Sequence, residues 1–259
     1  MTTRTTSPAT ITDHHDARGL GTVLGVWAHP DDEAYLSAGL MALARAAGNH
    51  VTCVTATLGE HGTEDARTWP PGRLARTRRM EITASMAILG VTDHRILGYE
   101  DGTLPEQPAE PAVAAISAVI EEVRPDTIVT FGPDGMTGHP DHQTVSAWTT
   151  TAWEQTGRGR LLHATTTDAF AEEHADLHAR IPVFGPGLPL RTPAAEVALA
   201  VDLDEELLDT KLAALRAQAT QVGPLLPLIG EQAFRCWWRR ETFRAPDPTR
   251  AARALTLIS

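Results

Sequence analysis

Cysteine is nearly absent from this chain. Cys53 and Cys236 are the only two, and neither belongs to a close Cys motif, so neither a thiolate metal site nor a disulfide framework is expected and both read as buried thiols. Cationic residues are also scarce: 22 Lys and Arg stand against 33 Asp and Glu, a formal net charge of −11, which disfavours an extended grip on nucleic acid or an anionic membrane. No apolar run approaches the ~20 residues of a membrane-spanning helix. Residues 1–19 are Thr-rich and polar without the apolar segment of a secretory signal. They read as a disordered tail, His14 and His15 included, on a cytoplasmic protein. What is present suffices for one sizeable core, with 42% hydrophobic residues in 259. A single domain over 20–259 is expected, acting on a small molecule. The sequence is silent on oligomeric state, and a homo-oligomer is compatible with it.

The densest chemistry is Ala28-His29-Pro30-Asp31-Asp32-Glu33, an imidazole and three carboxylates directly after the apolar run Thr22–Ala28. Ala34–Ala47 has the apolar spacing of a helix, which places the cluster on a strand-to-helix turn. In open α/β sheets, ligands bind at such turns. His29 and Asp32, three apart, can aim at one point while Asp31 points elsewhere. Taken alone, an Asp-rich turn before a helix is as often only a helix cap.

A second cluster lies far downstream. Thr127–Phe131 reads as a strand, followed by a glycine-containing loop and Gly138-His139-Pro140-Asp141-His142, with Pro140 well placed to open a helix. If the two turns converge, His29, Asp32 and His142 form a three-ligand N/O set suited to a catalytic zinc with one position open for water. The same set can hold iron(II). Asp31 and His139 would be left over for proton transfer.

The order of elements supports that convergence. Strands are expected over His50–Leu58, His94–Leu97 and Leu161–Thr166, and helices over Arg73–Leu89, Glu110–Val123 and Pro140–Glu154. Alternating β and α elements predict a Rossmann-like, doubly wound α/β fold with a mostly parallel sheet of order 3-2-1-4-5. The motif-bearing turns follow strands one and four, neighbours at the switch point. The charges of the second helix, Arg78 and Glu81 among them, read as a solvated face. Gly19, Gly21 and Gly25 come before and within the first strand, so they form no dinucleotide fingerprint. Pro182–Pro193 reads as a loop, with the site within its reach. Beyond it, Val197–Val201 is expected as a strand, Asp204–Ala217 as a helix capped at its start, and Cys236–Phe243 as a tryptophan-containing strand. These make an appended C-terminal layer over about 182–259.

Together AHPDDE at 28–33, TLGEHG at 57–62, Arg78 with Glu81, LGYEDG at 97–102 and FGPDGMTGHPDH at 131–142 resemble the LmbE-like, or PIG-L, family of zinc-dependent de-N-acetylases. The resemblance spans most of the first 155 residues. It implies a metal on His29, Asp32 and His142, Asp31 as general base, and His139 as the electrophilic or acid group. It further implies that Glu60, Arg78 and Asp101 face the substrate, an N-acylated amino sugar or its conjugate. Lys211–Gln221 is similar to a late family pattern except that Gln218 stands where histidine is usual. Thr137 replaces a tyrosine that mycothiol-pathway members carry, which argues against that substrate.

On this reading Asp31 takes the water proton, protonated His139 holds the oxyanion, and either returns a proton to the amine. Two rivals are a non-catalytic metal- or nucleotide-binding module, which would not need Asp31 and His139, and a metal-dependent phosphoesterase, which would usually need more bridging carboxylates.

Overall fold

The computed structural model describes residues 9–247. Its strands are β1 (Ala9–Ile11), β2 (Val23–Trp27), β3 (Val51–Thr55), β4 (Asp93–Ile96), β5 (Thr127–Phe131), β6 (Arg160–Thr167), β7 (Arg191–Thr192), β8 (Val197–Asp202) and β9 (Arg240–Arg244). They form one sheet in the order β1-β8-β9-β6-β5-β2-β3-β4, with β7 beside β6. From β4 to β6 the five strands read from the sequence run parallel in the expected 3-2-1-4-5 order. β2, β3 and β5 are buried at every position, as near-continuous apolar and β-branched runs covered on both faces must be.

By the right-handed rule for parallel crossovers, this strand order places the helices Asp32–Ala46 and Pro71–Ile88 on one face and Ala109–Val123 and Pro140–Thr156 on the other. The first pair packs against the later helix Glu205–Ala217, and the second pair packs on each other. Asp204 caps Glu205–Ala217, its Oδ1 accepting from the Leu207 N–H at 2.8 Å, as its place before the apolar stripe suggests. None of the described helices is long and apolar enough to cross a membrane.

Three expectations are corrected. The tail is ordered from Ala9: β1 pairs in register with β8 and Asp13 caps the short helix His14–Ala17. Its short triplet satisfies edge groups of β8 that would otherwise lack partners. Residues 1–8 of that expected tail lie outside the described residues. The C-terminal segment is more than a layer, because β9 pairs antiparallel with both β6 and β8 and so extends the sheet. Finally, Cys236–Phe243 is not one strand: a helix runs over Glu231–Trp237 and β9 begins at Arg240. Helical spacing brings Phe234 and Trp237 onto one face, each edge-on to Tyr35 at 6.5 and 6.4 Å between centroids.

One buried ion pair ties the late helix to the sheet. Lys211 and Glu241 are almost wholly buried, with Lys211 Nζ 2.7 Å from both Glu241 Oε1 and the Tyr35 carbonyl. Glu241 also accepts from the Gly39 and Leu40 N–H groups at 2.8 and 2.9 Å.

Candidate metal centre

β2 and β5 are hydrogen-bonded neighbours, so the turns that leave their carboxyl ends meet. His29 Nδ1 lies 3.1 Å from His142 Nε2. Asp32 completes a triangle, its Oδ1 being 3.3 Å from His142 Nε2 and its Oδ2 3.6 Å from His29 Nδ1.

The outer partners fix which nitrogens carry protons. His142 Nδ1 lies 3.0 Å from the Gly135 carbonyl, which can only accept, so its proton sits there and Nε2 presents a lone pair. Burial holds the His142 pKa down to about 4, so the ring is neutral near pH 7. His29 Nε2 lies between Asp101 Oδ1 at 3.0 Å and Asp141 Oδ2 at 3.1 Å, which requires a proton on Nε2. Burial lowers the His29 pKa, but those two carboxylates and Asp32 outweigh it and push it up to about 10. Thus two ring nitrogens and a carboxylate converge where positive charge is favoured. Ligand atoms around a tetrahedral zinc with ~2.0–2.1 Å bonds sit about 3.3 Å apart, and the nearest approaches among these three side chains are of that order, with Asp32 meeting the two rings through different oxygens. The residues fit a divalent metal.

The outer carboxylates are themselves held. Asp141 accepts from the Gly102 and Leu104 N–H groups at 2.8 and 3.1 Å, and Asp101 from the His61 N–H at 2.9 Å. Burial raises both carboxyls, yet His29 and these N–H groups hold both below the usual range. A carboxylate behind a ligating histidine fixes its tautomer and raises its basicity.

Asp31 stands apart from the triangle. Its φ of 106° and ψ of −30° are unusual for a residue with a side chain, a conformation costing about 1–3 kcal/mol. The Asp31 N–H is held by Glu33 Oε2 at 3.0 Å, and Gln218 Nε2 donates to Glu33 Oε1 at 3.0 Å. Burial pushes the Asp31 carboxyl up to about 7, with Arg78 opposing that rise. Arg78 Nη2 is 3.5 Å from Asp31 Oδ2 and donates to the Pro30 carbonyl, while Nη1 donates to the Gly59 carbonyl at 2.8 Å. A Cβ at Gly59 would lie 2.0 Å from Arg78 Nη1, so only glycine admits this guanidinium.

His139 is partly exposed, and one of its ring nitrogens lies within 4.8 Å of those of His29 and His142. Its Nδ1 accepts from the Asp141 N–H at 3.1 Å, leaving the proton of the neutral ring on Nε2. Burial and the nearby His29 hold its pKa below the ordinary value.

The residues assigned to chemistry from the sequence are therefore together, whereas the three assigned to substrate are not on the adjoining cavity. That cavity, about 210 Å³, is bounded by Asp31, Asp32 and His142 on one side. Arg78 and Asp101 are 3% and 7% exposed and support Asp31 and His29 from behind. Glu60 Oε1 accepts from the Asp101 N–H at 3.2 Å, and Glu60 lines a separate groove with Tyr99 and Pro71. Nor are Arg78 and Glu81 a solvated face. Glu81 takes the Thr220 N–H and hydroxyl at 2.8 and 2.6 Å. Sequence reasoning missed Asp141, Glu33 and the cavity wall from the C-terminal half. Asp141, inside the HPDH run, was the one with a signal.

An open doubly wound sheet with a His/Asp centre at its switch point defines a class of α/β metallohydrolases. The model of the PIG-L family, GlcNAc-PI de-N-acetylase, matches residues 24–153, and the chain belongs to that family and is an amide-bond hydrolase. Curated relatives include 1D-myo-inositol 2-acetamido-2-deoxy-alpha-D-glucopyranoside deacetylases. That of Acidothermus cellulolyticus is 35% identical over 250 residues, covering 82% of this chain and 85% of the relative. That of Saccharomonospora viridis is 36% identical over 240, covering 78% and 86%. Among solved structures, the N,N'-diacetylchitobiose deacetylase of Pyrococcus horikoshii is similar in fold, with a TM-score of 0.59 at 23% identity, covering 87% of this chain and 83% of that one. These relatives give the phosphoesterase and the non-catalytic module no support.

Proposed function

We propose that the protein hydrolyses the N-acyl group of an amino sugar or amino-sugar conjugate at a mononuclear metal held by His29, Asp32 and His142. The observation that carries this reading is the convergence of His29 Nδ1, His142 Nε2 and Asp32 on one point with Asp31 beside them. Zinc suits this donor set, and iron(II) suits it too. When bound, the metal polarises the amide carbonyl and acidifies the attacking water.

The chain's own groups then move the protons. Asp31, ionised above about pH 7, accepts the proton of the attacking water. Arg78 keeps that carboxylate ionised and oriented. His139 acts as a neutral hydrogen-bond donor through Nε2 toward the developing oxyanion, rather than as the imidazolium expected from the sequence. Asp31 returns its proton to the departing nitrogen, which leaves the chain unchanged after each turnover. The substrate's amino-sugar frame rests on the relatives' named substrates. Thr137, whose hydroxyl is 3.3 Å from His142 Nδ1, lines the cavity where mycothiol-pathway members carry tyrosine.

The test is release of primary amine from a panel of N-acylated amino sugars by protein reconstituted with zinc or iron(II), beside a chelated control. Metal-dependent release with one metal per chain is expected. A protein binding one metal that releases amine from no member of the panel would sink the proposal.

A further inference from the structure

The cavity beside the candidate centre is walled mostly by apolar side chains. Asp31, Asp32 and His142 close one side, and Val183, Phe184, Leu225, Trp237 and Trp238 form much of the rest. All five lie outside the family match at 24–153, on the loop after β6 and the helices before β9. The loop is fastened there by the Gly185 N–H, which donates to the Thr137 carbonyl at 2.9 Å. The Trp237 indole N–H is already used, donating to His178 at 3.0 Å. The Tyr35 hydroxyl and the Trp238 indole N–H are buried without protein partners on this wall, and with the Thr137 and Gln221 side chains they offer fewer groups than the ring of hydroxyls on a pyranose needs, which disfavours burying one here.

The cavity is also too large for the methyl of an acetyl group. An apolar cavity of about 150 Å³ accommodates a benzene ring, and this one is about 210 Å³. A further void of about 30 Å³ shares Tyr35, Leu36, Met136 and Trp238 with it and continues toward Thr165. An amide has only two sides. Because the apolar wall begins at Asp31, Asp32 and His142, its occupant is bonded directly to the reacting carbonyl. An apolar aglycone would lie a sugar ring further away.

We infer that this cavity receives the acyl group, and that the preferred substrate carries an acyl chain or ring larger than acetyl. The inference rests on the N-deacylase reading above and specifies its substrate. In the metal-loaded protein, kcat/KM is measured for glucosamine bearing N-acetyl, N-butanoyl, N-hexanoyl, N-octanoyl and N-phenylacetyl groups. A parallel series holds N-acetyl constant and lengthens the aglycone from methyl to octyl.

The acyl series is expected to rise about threefold per added methylene until the cavity is filled, while the aglycone series stays flat. Leu225→Asp is expected to lower the hexanoyl-to-acetyl ratio at least tenfold. Val183→Phe, which fills the cavity without adding charge, is expected to move the optimum to a shorter chain, with thermal melting reporting that each variant is folded. An acyl series that is flat or falls from acetyl overturns the inference and leaves the deacylase reading intact. So does a rise that follows the aglycone instead. Failure to cleave any amide in either series overturns both.

Discussion

The Lys211–Glu241 pair and the His29–Asp32–His142 triangle are both buried polar clusters, and they differ in whether their hydrogen bonding closes. Around Glu241 every carboxylate oxygen has an N–H partner and the ammonium lies between a carboxylate and a carbonyl. In the triangle, His142 Nε2 and the Asp32 oxygens face His29 Nδ1 and one another at 3.1 to 3.6 Å, acceptors that only a cation closes, a proton on His29 or a metal ion in its place. Lys211 is the chain's single lysine, and it is spent on holding the late helix to the sheet. The contrast separates buried charge that stabilises from buried charge that binds.

Replacing Asp31 should have the largest effect on one side of this contrast and none on the other. Asp31→Asn is expected to lower kcat/KM by about 10²–10⁴ with metal content and melting temperature retained. Turnover near that of the unmodified protein would remove Asp31 as the base.

Lys211→Met probes the closed cluster. Leaving the Glu241 carboxylate buried without its ammonium should cost about 3–5 kcal/mol of stability, read as a lower urea midpoint, with metal affinity unchanged. A loss below about 1 kcal/mol would mean that water reaches Glu241 and the cluster is not closed.

The support behind His29 is weaker in effect but specific. Asp141→Ala is expected to weaken metal binding about 10–100-fold, measured by competition with a chromogenic chelator. Unchanged affinity would show that Asp101 alone holds the imidazole.

The smallest change concerns pH. Asp31 works ionised, so activity rises with pH through its pKa of about 7, and Arg78 lowers that pKa. Arg78→Met should raise it and shift the acid limb of the kcat/KM profile to higher pH. The expected loss is about three- to tenfold at pH 7, with the two profiles converging at high pH. An unshifted limb would separate Arg78 from the ionisation of Asp31.

Much of the catalytic half was legible because its signals are local. Apolar β-branched runs mark β2, β3 and β5, and the helices between them repeat their apolar residues on one face. Motifs placed after strands one and four then meet through parallel-sheet topology. The C-terminal half lacks such signals. Trp237 and Trp238 suit a strand as well as a helix by propensity, and contact with Tyr35 decides for the helix. The charges Arg78 and Glu81 lie on a helix that looks solvated until the Gly59 turn and Thr220 cover them.

The sequence by itself determined the parallel five-strand order and the pairing of two His/Asp turns, since periodicity and strand-to-helix turns depend on near neighbours in the chain. Only the tertiary structure decided which carboxylates stand behind His29, that Arg78 supports Asp31, and that the cavity wall is apolar. Those contacts join residues far apart in the chain: His29 and Asp141 are 112 positions apart, and the cavity sets Asp31 beside Trp238. No local pattern encodes an approach across that distance; it follows from how the packed layers bring the loops together.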